Sequence, residues 1–286
     1  MILEVKHGLS CAMPARNSCA PHERGMVEYW SFVMKIHGIP AFRFLVSRVL
    51  WATRCSAMLT MRAAAGYRLR FYPSSVSAMM WCDPGFFRKD EEVLRKYLRP
   101  GDVFVDVGAN IGALSLAAAR LVGESGRVFS VEAHPRTVKY LRGNIKLNDA
   151  ANVTVIHAAA GEHEGVVQFS SGRSDDQNRV AQSGLDVPLR TLESLLPDVP
   201  IRVLKIDVEG YELFALRGAG RVLQKTDVVY IESYESHFQK YGYSTSDVLS
   251  FLASQRFETG REAGYKSVTC ENLLAINQTH AITSIA

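Results

Sequence analysis

Two groups of acidic residues mark where this chain can do chemistry. Lys205, Asp207 and Glu209 alternate along Val203-Leu-Lys-Ile-Asp-Val-Glu-Gly-Tyr-Glu212, which puts them on one face of a strand and its exit. A carboxylate there could take the proton of a substrate hydroxyl, with Asp207 the first candidate base and Glu209 the second. One of these acids could instead hold an ammonium group, or Asp207, Glu209 and Glu232 could bind Mg2+ through oxygens. The base role is favoured, and no metal is expected. Glu212 falls in the first turn of a following helix, where a carboxylate caps free amides and opposes the dipole. His134 and His157 lie near strand ends. Each imidazole could act as a base, and His157 stands third after the two acids, although a lone histidine at such a place is more often structural.

The second group surrounds Asp106-Val-Gly-Ala-Asn-Ile-Gly112, which ends the apolar run beginning at Val103 and precedes a helical pattern from Ala113. Strand, glycine turn and helix N-terminus in that order make a nucleotide-binding unit. A dinucleotide site needs a second glycine where Asn110 stands, and the Asp106 carboxylate would repel a diphosphate. An acidic rim suits a ligand bearing a sulfonium and an ammonium, which describes S-adenosylmethionine. Glu132 ends the next apolar strand, twenty residues after Gly112, where an acid can accept hydrogen bonds from both ribose hydroxyls. Asp106 and Glu132 are therefore the expected cofactor contacts. The plainer alternative is a glycine turn that only permits the turn, with solvated acids at the strand ends.

Strands and helices must alternate to position these residues. Strands are expected at 103–107, 128–132, 153–158, 202–207 and 228–232, with helices at 90–98, 136–147, 211–223 and 245–254. Alternation of this kind argues for a parallel sheet covered by helices on both faces. A short strand is expected at 67–71, two more at 166–170 and 187–189, and a closing hairpin from 265–269 and 273–276. Residues 1–66 are expected to be an extension, consisting of an unstructured arm and a helix over 41–62. Phe42, Leu45, Val46 and Val49 would form that helix's apolar stripe, with Arg43 and Arg54 opposite. Residues 67–286 would form the main domain.

The 286 residues, 47% hydrophobic and 22% charged, suit an ordinary globular protein. A net charge of +4 is too small to argue for nucleic acid. The charge is uneven, however: from Tyr29 to Cys82 there are seven Lys or Arg and no Asp or Glu. That basic helix could rest on an anionic membrane surface, although covering its own domain is the favoured reading. It could also grip RNA, which would make the protein a nucleic-acid methyltransferase; steep salt dependence of RNA binding would be the sign. Five scattered cysteines without a C-x-x-C pair suggest neither a disulfide framework nor a zinc site. With no signal-peptide core and no long apolar run, the cytoplasm is the expected compartment.

The motifs together resemble the FkbM family of S-adenosylmethionine-dependent methyltransferases. The matching segments are Pro100 to Gly112; Val131-Glu-Ala-His-Pro135 with Leu141 to Asn148; Val187-Pro-Leu-Arg-Thr-Leu192; and Leu204 to Glu212 through Leu216-Arg-Gly-Ala219. They run from about residue 68 to 233, and the G-A-N-I-G turn combined with K-I-D-V-E-G is far more specific than either part. The resemblance implies a class I methyltransferase (Rossmann-like) α/β fold, with a mostly parallel seven-stranded sheet in the order 3-2-1-4-5-7-6. It implies methyl transfer to a hydroxyl of a sugar, glycolipid or natural-product acceptor. It also carries cofactor binding onto Asp106, Gly108, Asn110, Gly112 and Glu132, and puts Asp207 and Glu209 at the reaction crevice. Ala133 stands where the family often has proline, and the first 65 residues lie outside the resemblance. A non-catalytic cofactor-binding protein is the remaining alternative.

Overall fold

The computed structural model describes Arg43, Val46 and Val49, residues 56–170, 179–260 and 271–280. After a 3-10 turn at Ser56–Met58, the strands β1 (Thr60–Arg62) and β2 (Arg68–Arg70) pair as an antiparallel hairpin. The α1 helix (Ser75–Cys82) starts where the Ser74 hydroxyl accepts the Ser77 N–H at 3.0 Å, a side-chain cap. The α2 helix (Arg88–Tyr97) leads into β3 (Val103–Val107). Then come α3 (Ala113–Val122), β4 (Arg127–Glu132), α4 (Pro135–Leu147) and β5 (Val153–His157). Pro135 suits the first turn of α4, where its missing N–H removes nothing from the helix.

A smaller four-stranded sheet follows, built from β6 (Ala159–Ala160), β7 (Gly165–Phe169), β8 (Val180–Ala181) and β9 (Leu185–Arg190) in the order β6-β9-β7-β8. The chain returns through α5 (Leu192–Leu195) to β10 (Ile201–Ile206), then α6 (Glu212–Arg217), α7 (Arg221–Gln224) and β11 (Thr226–Ser233). The last elements are α8 (Glu235–Phe238), a 3-10 turn at Gln239–Tyr241, α9 (Thr245–Ser254), β12 (Phe257–Gly260) and β13 (Glu271–Asn277).

The main sheet runs β12-β13-β11-β10-β3-β4-β5. Numbered by their sequence along the chain, its strands read 3-2-1-4-5-7-6, the expected order. The five strands from β5 to β11 are parallel, and β13 and β12 close the edge antiparallel. Alternate side chains build two cores, as both faces of a parallel sheet must be covered. Val105, Val131, Leu204 and Ile231 pack with Leu213, Leu216, Val222 and Leu252 on one face. Phe104, Val128, Val203 and Val228 pack with Leu94, Leu116 and Ala118, and with Tyr67 and Leu69 of the hairpin, on the other.

Several expectations change. The single helix over 211–223 is two helices, α6 and α7. A Cβ on Gly218 would stand 1.9 Å from the Gly161 carbonyl oxygen, and Gly220 takes φ +46°, so the close approach of chain and turn interrupts the helix. The strand that pairs with β13 is β12, not residues 265–269, which lie outside the described residues. The expected N-terminal helix stops before Ser56, since β1 occupies 60–62. Arg43, Val46 and Val49 are helical, while Phe42, Leu45 and Arg54 of the expected stripe and its opposite face lie outside the described residues. Val49 is 55% exposed, while Arg43 is held to the body: its guanidinium donates to the Trp81 carbonyl and its own carbonyl accepts the Trp81 indole N–H. Residues 1–25 lie outside the described residues. The boundary drawn after residue 66 falls in the turn of the β1–β2 hairpin, which is pinned to α4: Asn148 and Asn144 accept the Arg68 and Arg70 N–H groups at 2.8 and 2.9 Å.

Candidate active site

The turn after β3 is shaped by contacts that exclude side chains. Gly108 has φ +80°, and a Cβ on it would stand 1.7 Å from the Asp207 carbonyl oxygen. The exits of β3 and β10 can meet only because that carbon is absent. Asn110 takes φ +49°, a left-handed conformation that asparagine tolerates, and its side-chain oxygen accepts the Ile111 N–H at 2.7 Å. Gly112, at φ +90°, begins α3. Glu132 locks this turn to the next: its two oxygens accept the Asn110 N–H at 2.9 Å and the His134 N–H at 2.8 Å. A carboxylate offers about four lone-pair directions, and these two amides fix the orientation of Glu132.

Strand register assembles the acidic group. Lys205 of β10 lies opposite Asp106 of β3 and Tyr230 of β11. Its ammonium stands 3.2 Å from a carboxylate oxygen of Asp106 and 3.2 Å from one of Asp207. Burial works against the charge of Lys205, but its ion pairs, Asp106 first, outweigh it and hold the ammonium well above the usual lysine range. Asp106 is not on an open rim as expected. It is fully buried on the face that α3 covers, where the Ser115 hydroxyl donates to it at 2.6 Å. Its role in this arrangement is to anchor Lys205.

Asp207, Glu209 and Glu232 come together as expected, each offering an oxygen within 4.8 Å of the others. Asp207 and Glu209 are part-exposed, at 29% and 21% of their side chains. Burial, then the adjacent Asp207 charge and a hydrogen bond to it, push Glu232 well above the ordinary carboxyl range. Glu232 therefore holds a proton more readily than an ordinary carboxyl, as one member of a close carboxyl pair must. A divalent ion would have to displace that proton to use all three groups.

Glu209 takes φ +57°, a costly conformation for a residue with a long side chain. The loop that holds it there is tied by Glu212, which is buried and accepts the Val208 and Gly210 N–H groups at 2.9 and 3.2 Å. Burial raises Glu212 to about 7. Its role is structural, but it ties the loop before α6 rather than capping the helix, contrary to the expected helix cap. Glu209 Oε2 is also 3.3 Å from His237 Nδ1, and burial pulls that imidazole down to about 4.

The histidine candidates sit elsewhere. His157 pairs with Glu132 across β5 and β4, three strands from β10, and its ring contacts the Ala133 carbonyl at 3.0 Å. The structure thus separates His157 from Asp207 and Glu209 and corrects its place as third base. His134 is buried and caps α4 by accepting the Arg136 N–H at 3.1 Å.

Sequence reasoning missed a layer beneath Lys205. The Tyr230 hydroxyl donates to Asp90 of α2 at 2.7 Å, and Asn272 of β13 contacts both. Burial raises Asp90 above the usual aspartate range. A polar Tyr230 inside Val228-Val-Tyr-Ile231 was the one available signal; Asp90 stands in the charged run Arg88-Lys-Asp-Glu-Glu92 and carries none. Asp90, Asp106, Asp207, Glu209 and Glu232 thus gather near one buried cation, Lys205. Even with the raised Asp90 and Glu232 set aside, Asp106, Asp207 and Glu209 outnumber that cation, and a cation-bearing ligand fits the imbalance. A cavity of about 940 Å3 at the amino-terminal ends of β4 and β5, lined by Arg127, Asn152 and Tyr67 among others, includes none of these residues.

Residues 106–267 match the methyltransferase FkbM domain. The hexuronic acid methyltransferase AglP of Haloferax volcanii is 28% identical over 207 residues, covering 68% of this chain and 80% of its own length. A protein-L-isoaspartate O-methyltransferase of Methanothrix thermoacetophila is 34% identical over 100 residues, covering 35% of this chain and 45% of its own. The solved structure of methyltransferase FkbM from Methylobacillus flagellatus aligns at 19% identity with a TM-score of 0.45, covering 70% of this chain and 54% of its own.

Proposed function

The chain belongs to the FkbM methyltransferase family, and on that premise we propose that it transfers a methyl group to a hydroxyl of a sugar, glycolipid or natural-product acceptor in the cytoplasm. It is an S-adenosylmethionine-dependent methyltransferase. Its residues fit that cofactor: Glu132 is anchored at the end of β4 where a ribose would lie, and Asp106, Asp207 and Glu209 outnumber one buried lysine, which suits a cationic ligand. When bound, the cofactor supplies a methyl group on a positively charged sulfur. In this reading Glu132 accepts the ribose hydroxyls, while Gly108, Asn110 and Gly112 shape the turn on which the nucleoside lies.

The protein's further task is to align an acceptor oxygen and remove its proton. Alignment contributes up to about 7–11 kcal/mol in well-oriented systems, and a base about 10²–10⁴-fold. The single observation that carries the proposal is the Asp207–Glu232 pair. Burial and the Asp207 charge raise the Glu232 carboxyl, which makes Glu232 the harder of the two to deprotonate, and Lys205 at 3.2 Å fixes the position of Asp207. Glu209, held on the same loop, is the second candidate. The relative named for hexuronic acid supports a sugar acceptor.

Labelled methyl transfer from S-adenosylmethionine into neutral glycosides, uronic acids and glycolipids tests the reading. We expect a product that keeps its label in mild alkali, because an ether survives where a methyl ester is cleaved. Label lost in alkali would move the reaction to a carboxylate, which needs no base, and would remove Asp207 from its role. The proposal uses no metal, so activity should persist in EDTA. Loss of activity that Mg2+ restores would turn Asp207, Glu209 and Glu232 into ligands.

A further inference from the structure

Three segments distant in sequence meet beside Glu209. The loop after β10 lies against α8 and the turn that follows it: a Cβ on Gly210 would stand 2.8 Å from both the His237 carbonyl oxygen and a ring carbon of Tyr241. The Tyr241 hydroxyl in turn donates to the Val180 carbonyl at 2.8 Å, which brings the start of β8 to the same place. Arg179, the residue before Val180, is fixed by its backbone to Ser170: its N–H reaches the Ser170 hydroxyl at 3.0 Å, and its carbonyl accepts the Ser170 N–H at 2.9 Å. Lys240 lies in the turn beside Tyr241.

We propose that Arg179 and Lys240 form an anion-binding subsite beside Asp207 and Glu209, selecting an acceptor that carries a carboxylate or phosphate near its reactive hydroxyl. The inference rests on the sugar-acceptor reading above and deepens it. Among the described residues neither cation forms an ion pair. Burial, then Arg179, lower the Lys240 ammonium, and burial followed by Lys240 and Arg179 lower the His237 imidazole, so the two cations act on the same place and on one another. Glu209, whose charge also acts on Lys240, stands 3.3 Å from His237. An anion lying between guanidinium and ammonium would relieve their mutual repulsion and gain charge-assisted hydrogen bonds. The acceptor would then be held by its anion, with an adjacent hydroxyl presented to Asp207.

The test is calorimetry on the full chain saturated with S-adenosylhomocysteine, using p-nitrophenyl glucuronide, p-nitrophenyl glucoside and glucose 6-phosphate as probes. The glucuronide should bind about tenfold or more tightly than the glucoside. Arg179→Gln and Lys240→Gln should each reduce that preference, and the double variant should abolish it, while S-adenosylhomocysteine affinity, which also reports folding, stays unchanged. Glucose 6-phosphate binding with the same dependence on both residues would support the subsite and name phosphate as its anion. Equal binding of glucoside and glucuronide, no binding of any probe, or a preference that survives in the double variant would overturn the subsite and leave the methyltransferase reading intact. Failure of the parent to bind S-adenosylhomocysteine would overturn both.

Discussion

Glu132 is held by two backbone N–H groups, those of Asn110 and His134, whereas Asp207 is held by side chains of three strands: Lys205, which Asp106 anchors, and the Glu232 acid. The proposed cofactor end of the crevice is thus tied to main-chain N–H groups. The proposed acceptor end is built from charges that depend on one another. Backbone amides give a fixed cradle for a ligand common to a whole family. Paired carboxyls and a buried lysine give a site whose proton affinity can be set, which a base needs.

The sharpest way to break this contrast is Asp207→Asn. Methyl transfer should fall roughly 10²–10⁴-fold, with S-adenosylhomocysteine binding by calorimetry kept within a few-fold; turnover at the parent rate would remove Asp207 as the base. Gly108→Ala attacks both ends at once, since its methyl group meets the Asp207 carbonyl at 1.7 Å with φ already +80°. A loss of about 3 kcal/mol or more is expected in denaturant unfolding, among the larger single-site effects. Glu132→Gln should touch the cofactor end alone. Cofactor affinity should weaken roughly tenfold or more, as for a lost hydrogen bond to a charged group, with the KM of the acceptor unchanged.

The smallest effect separates the loop from the chemistry. Burial raises Glu212 from the usual 4.5 to about 7 in the folded chain. A group whose folded pKa is raised contributes stability that is complete below its unfolded value and lost as pH rises through the folded one. The protein should therefore lose on the order of 2–3 kcal/mol from this group between about pH 4.5 and pH 7 and above. Glu212→Gln should flatten the dependence of unfolding free energy on pH across that window. An unchanged slope would mean that another group sets it.

Local signals carried much of the fold. β3 and α9 appear at their expected limits, because Val103-Phe-Val-Asp-Val107 is an unbroken apolar run around one acid and Ser244 with Asp247 forms a capping box. Gly218 and Gly220 interrupt a convincing helical pattern for a reason seated elsewhere, the carbonyl of Gly161 and the side chain of Glu193. Asp106 shows the same limit from the other side. Its position at a strand end read as an open rim, but Ser115 and Lys205 enclose it, and neither partner can be inferred from the turn itself. Asp90, Arg179 and Lys240 had no pattern at all; each matters only through what packs beside it.

By itself the sequence determined the glycine turn, the acids at the strand ends, the alternation of strands and helices, and the family to which they belong. These depend on residues a few positions apart, where sterics and periodicity act directly. The tertiary structure decided which acids face one another, which has its proton affinity raised, which is sealed away, and that His157 stands apart. Those outcomes follow from strand register and burial, which bring together groups as far apart in the chain as Asp106 and Lys205. A carboxylate's proton affinity depends on neighbours in space, whatever their distance along the chain.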